Sequence, residues 1–135
     1  MYFYTMKIPE NQTLIETAIA TNWINEDGWL CSVSKPCELS LENLVNHYDT
    51  LAKNLPNLPV KFLVVPNFTQ AVSPESRRYL SDIMPKFAQA SAYITSSAMM
   101  KIGLNLFFKI THTDVPMRVF TDEEKAIEWL KDFKG

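Results

Sequence analysis

TLIETAIATNWINEDGWLCSVS, residues 13–34, is the stretch whose reading decides the fold. In residues 13–25 the side chains of Ile15, Thr17, Ile19, Thr21 and Trp23 fall on one side of an extended chain, the period of two that marks a strand. Asp27-Gly28 follows at once, and glycine takes the positive φ of a tight turn without steric cost. Residues 29–34 therefore read as the returning strand of an antiparallel hairpin.

Beyond the hairpin the apolar period lengthens. Ser40 precedes Leu41, Leu44, Val45, Tyr48, Leu51, Ala52 and Leu55, an amphipathic helix that Pro56 stops. VKFLVV, residues 60–65, is a short apolar run suited to a strand covered on both faces. A strand, a helix and a strand in that order imply a parallel pair joined by a right-handed crossover. Ser73-Pro74-Glu75 opens a second helix with a capping hydroxyl, a proline in the first turn and an acid near the positive end. Tyr79, Leu80, Ile83 and Met84 form its buried stripe, and Pro85 should interrupt it.

Residues 90–95 read as the next strand, Ser96-Ser97 opens a third helix through Ile110, and residues 115–120 give a last short strand. Thr121-Asp122-Glu123-Glu124 has the form of a capping box built on the Thr121 hydroxyl. Ala126, Ile127, Leu130 and Phe133 then supply the stripe of a final helix. The expectation is one α/β domain over residues 1–135, with residues 1–12 less regular. Its sheet should be mixed, with four or five strands, an N-terminal antiparallel hairpin and flanking helices.

Composition excludes several function classes. A chain of 135 residues, 47% apolar and 21% charged, can bury roughly two thirds of its unfolded surface in one core. Its net charge of −2, without a basic stripe, argues against nucleic acid, because neutralising phosphates needs a concentrated basic footprint. No run approaches the ~20 apolar residues of a membrane span. The first residues meet Lys7, Pro9 and Glu10 before any signal-peptide core can form, so a cytoplasmic location is expected. Cys31 and Cys37 then read as ordinary thiols.

The same reading finds no catalytic residue, metal set or cofactor motif. Three glycines in the whole chain cannot build a phosphate-cradling loop. No nucleophile elbow is present, and neither His47 nor His112 sits in a pattern that marks a base. Cys37 lies ahead of a helix, but Ser40 is the better cap and Lys35 is its one basic neighbour.

Two groups of residues remain as candidate contacts. Ser73, Ser76, Arg77 and Arg78 gather at a helix N-terminus, where free amides and the dipole favour an anion or a partner's acid. The plainer reading is a capped helix with solvated arginines. On the third helix Lys101, Asn105 and Lys109 recur every four residues and leave a broad apolar remainder that includes Met99, Met100, Phe107 and Phe108. An excess of Met and Phe suits a partner surface, a homodimer contact or a groove for a small apolar ligand. Against it stands a central helix buried in its own domain.

Taken together, Ser76-Arg77-Arg78-Tyr79, Ser96-Ser97, Asn105 with residues 107–110, Pro116-x-Arg118-x-Phe120-Thr121, Glu123-Glu124-x-Ala126 and Trp129-Leu130 resemble the STAS-like, or SpoIIAA-like, domains, in particular a stand-alone bacterial branch. The resemblance covers about residues 28–133. It implies a mixed sheet with flanking helices and a regulatory or protein-interaction role instead of turnover. In the anti-sigma-factor antagonists of that superfamily a serine opening the helix after the third strand is phosphorylated. The corresponding stretch here, QAVSPESRR at residues 70–78, has neither the Asp-Ser nor the Gly-Leu pair, so a noncovalent contact with an acidic partner group is the expectation.

Overall fold

In the computed structural model of the chain, which describes residues 6–67, 72–111 and 113–133, the expected first strand is broken into β1 (Ile15–Glu16) and β2 (Ala20–Ile24). The chain reverses at Thr17, whose Oγ1 accepts the amides of Ile19 and Ala20 at 3.3 and 3.1 Å. A threonine hydroxyl that satisfies nearby amides competes with the strand ladder, and alternation of side chains cannot reveal it. As a result β1 folds back antiparallel on β2, with Ile15 opposite Asn22. Ile15 and Trp23 end in different cores.

The hairpin itself forms as expected. Gly28 takes φ +82°, and β3 (Leu30–Ser34) pairs antiparallel with β2. The remaining elements alternate: α1 (Leu41–Asn54), β4 (Val60–Val65), α2 (Pro74–Phe87), β5 (Ala88–Ile94), α3 (Ala98–Ile110), β6 (Met117–Phe120) and α4 (Glu123–Asp132). The described residues form one six-stranded sheet in the order β1-β2-β3-β4-β5-β6, parallel from β3 onward. The sixth strand, beyond the four or five expected, comes from the break at Thr17.

Strand order fixes the layers. Each right-handed crossover steps to the next strand in the same direction, so α1, α2 and α3 share one face. The last helix, α4, packs on the opposite face, against β4, β5 and β6. Accordingly one core joins Leu30, Phe62, Leu44, Leu51, Leu80 and Met84. The other joins Trp23, Trp29, Leu63, Ile94, Ala126 and Leu130, and the Lys61 ammonium donates across it to the Leu130 carbonyl.

Two local expectations are corrected. Pro85 does not interrupt α2, which runs on to Phe87. A proline so near the end removes a single i to i−4 bond, and buried Met84 and Phe87 hold the last turn in the core. The cap of α4 is Asp122, whose carboxylate accepts the Glu124 amide at 2.8 Å, and not Thr121. Ser40, Ser73 and Ser97 cap α1, α2 and α3 through their hydroxyls.

Candidate functional site

The third helix is apolar on two sides and packs with only one of them. Leu104 is its one buried residue, helped by half-buried Met100, Phe107 and Phe108. Met99 is 84% exposed, Ile102 69%, Leu106 58% and Ile110 43%. At 100° per residue these four and Gly103 occupy one arc roughly 100° wide. Lys101, Asn105 and Lys109 border that arc on one side. The helix is therefore not the buried element that one reading allowed.

Of the four side chains proposed from sequence for this surface, only Met99 stands free. Ile102, Leu106 and Ile110, which the sequence reading did not single out, complete the exposed stripe. Gly103 sits in the middle of that stripe, and a Cβ added to it would meet nothing within 4 Å. No contact within the described residues requires a glycine there.

Beneath the helices, at the carboxyl ends of β3, β4 and β5, lies a cavity of about 80 Å³. Its walls come from β2, the β3–α1 connection, α1, α2 and α3, and include Ala20, Cys37, His47, Tyr48, Leu80, Leu104 and Phe107. Phe107 is the one of the four proposed α3 side chains that reaches it. The cavity is several times the roughly 10–15 Å³ that a single water requires.

His47 and Tyr48 bring polarity to this wall, and neither drew a role from sequence. His47 is 5% exposed and Tyr48 6%, since both fall on the inward stripe of α1 with Leu44 and Leu51. The His47 Nδ1 lies 2.7 Å from Thr17 Oγ1, and the neighbouring Asn46 accepts the Ala18 amide at 2.8 Å. Together they latch α1 to the turn between β1 and β2.

The network also sets the imidazole tautomer. Thr17 Oγ1 spends its two lone pairs on the Ile19 and Ala20 amides and keeps one proton to donate. His47 Nδ1 at 2.7 Å is a nearer acceptor than the Ala20 carbonyl at 3.2 Å. Nδ1 is then bare and Nε2 carries the proton. Burial pushes the His47 pKa down to about 4, so the ring is neutral at pH 7. Among the described residues neither Nε2 nor the Tyr48 hydroxyl has a hydrogen-bond partner.

At the edge of the cavity Lys35 is already engaged. Its ammonium donates to the Thr17 carbonyl at 2.8 Å and pairs with Glu16 at 3.5 Å. The Cys37 thiol is pushed up by burial, with Lys35 acting the other way, and deeper burial pushes Cys31 up to about 11. Both are free thiols.

The second candidate cluster is only partly assembled. Ser73 caps α2 and its hydroxyl lies 3.1 Å from that of buried Ser76. The Arg77 guanidinium turns back to the Val72 carbonyl at 2.6 Å, whereas Arg78 is exposed. The two arginines thus do not converge on one point. His112 lies outside the described residues. Among the described residues no three His, Cys, Asp or Glu side chains gather as a metal set, and no helix is long and apolar enough to cross a membrane.

Comparison with known families gives one match: a family described as a domain of unknown function, DUF7793, over residues 22–134. The chain belongs to this family. The DUF7793 match begins inside β2, so β1 and Thr17 precede it, while His47, Tyr48 and all of α3 fall within it. No curated protein and no solved structure matches the chain.

Proposed function

We propose that this DUF7793 chain is a non-enzymatic, STAS-like interaction module whose α3 seats a second copy of the chain about a two-fold axis. The exposed stripe of Met99, Ile102, Leu106 and Ile110 carries the reading. Support for the STAS-like assignment is the residue pattern described above, together with a mixed sheet and flanking helices. The non-enzymatic reading rests on the missing phosphate loop, nucleophile elbow and base pattern.

A second copy fits the stripe because the stripe is self-complementary. In an antiparallel crossing centred near residue 104, Met99 meets Ile110 of the other copy and Ile102 meets Leu106, which is the isologous pairing of a two-fold dimer. Gly103 then lies at the crossing, where a missing side chain lets the two backbones approach. The four side chains leave roughly 400–500 Å² of apolar surface, the size of the largest patches on monomers, which are often functional. Met100 and the stems of Lys101 and Lys109 would extend it toward the ~800 Å² per partner of a standard interface.

Light scattering at micromolar concentration tests this. The expected species has twice the 15.5 kDa chain mass, and Leu106→Glu returns it to one chain. A parent protein that stays at one chain up to several hundred micromolar would retire the dimer.

A second reading, binding of a small apolar molecule, is favoured by the cavity beneath α3. Native mass spectrometry of protein purified from its own organism reads a retained ligand and the dimer in one measurement.

A further inference from the structure

We infer that the cavity between α1, α3 and the sheet is a site for a small neutral molecule with an apolar body and one carbonyl or hydroxyl oxygen, which accepts from His47 Nε2 beside the Tyr48 hydroxyl. The inference rests on the second reading above and specifies its ligand.

Three observations select that chemistry. First, most of the wall is hydrocarbon from Ile19, Leu44, Leu80, Met84, Leu104 and Phe107, so the greater part of the ligand must be apolar. Second, the Thr17 network leaves the proton on Nε2, so the imidazole offers a donor and not an acceptor. His47 lines the cavity, and an acceptor on the ligand would complete the hydrogen bonding of this ring nitrogen. The adjacent Tyr48 hydroxyl, also without a partner among the described residues, can donate or accept.

Third, the site does not provide for charge. The nearest ammonium, on Lys35, is spent on the Thr17 carbonyl and Glu16, and a carboxylate brought against a neutral ring in hydrocarbon would lose its hydration without a counterion. A ligand cation would face Nε2–H, a like-signed end. The location agrees with the general preference of α/β proteins for ligands at the carboxyl ends of parallel strands.

The probes are cyclopentanone, cyclopentane and cyclopentanecarboxylate, titrated into the full chain and followed by ¹⁵N and ¹³C NMR. Cyclopentanone should give saturable shifts at the His47 imidazole, Leu104 and Phe107, with ¹⁵N shifts showing the proton on Nε2. Cyclopentane should bind at least fivefold more weakly, and the carboxylate more weakly still. His47→Phe should weaken cyclopentanone about fivefold or more while leaving cyclopentane unchanged. Because that variant also loses the Thr17 contact, Tyr48→Phe, which breaks no hydrogen bond to a described residue, provides a second test and should weaken the ketone twofold or more.

Cyclopentane binding as tightly as the ketone would overturn the inference and leave the apolar-ligand reading standing. Tighter binding of the carboxylate would overturn neutrality, and an Nε2 found without its proton would overturn the donor. No saturable shift at the cavity with any of the three probes would remove both the inference and the reading on which it rests.

Discussion

Gly103→Ala separates the folding of the chain from its association. A glycine in a helix interior is about 0.8–1 kcal/mol less favourable than alanine, because it loses more backbone freedom on folding. The new Cβ would meet nothing within 4 Å, so no steric penalty offsets that gain. At concentrations low enough to keep one chain per particle, the variant should be about 0.8–1 kcal/mol more stable, roughly 3–4 °C in Tm for a domain of this size. At the proposed dimer crossing the same methyl would hold two helices apart, so association should weaken by about tenfold. Urea denaturation at sub-micromolar protein gives the first quantity and sedimentation equilibrium the second. A variant that loses monomer stability, or gains it while associating as tightly as the parent, would refute the role given to this position.

Further outcomes follow from particular contacts. Thr17→Val should cost about 2–3 kcal/mol in urea denaturation, because it leaves the Ile19 and Ala20 amides and His47 Nδ1 without their shared partner. His47 makes stability depend on pH: its folded pKa of about 4 lies below the 6.5 of the free side chain, so the unfolded chain binds the proton more readily. Its contribution is full above about pH 6.5 and falls on acidification toward pH 4, by about 3 kcal/mol over that window. His47→Phe should flatten the profile between those limits, and an unchanged slope would place the proton elsewhere. Ser73→Ala should lower stability by about 1 kcal/mol through loss of the α2 cap. The proposed two-fold pairing along α3 would bring Lys101 and Lys109 of both copies to the same edge, so added salt should strengthen association, which light scattering from low to 0.5 M salt would read.

Local signals were enough for much of this protein. Gly28 specified the hairpin turn because no other residue type takes φ +82° so cheaply. Ser40, Ser73 and Ser97 specified three helix starts, since a capping hydroxyl acts within three residues. The nearly continuous apolar run of Val60–Val65, interrupted only by Lys61, marked a strand with a core on each face, and it has them. His47 was also within reach of the sequence, lying on the same helical stripe as Leu44, Tyr48 and Leu51.

What only the tertiary structure decided depends on contacts between distant residues. Period alone cannot tell an apolar helix face that packs from one that does not, so the exposure of Met99, Ile102, Leu106 and Ile110 had to await the placement of α3 at the sheet. The break of the first strand turned on a hydroxyl choosing backbone amides over the ladder. The proton on His47 is fixed by Thr17, thirty residues earlier in the chain. A hydrogen bond of that reach leaves no periodic trace in the sequence, because it is the fold that brings its two ends together.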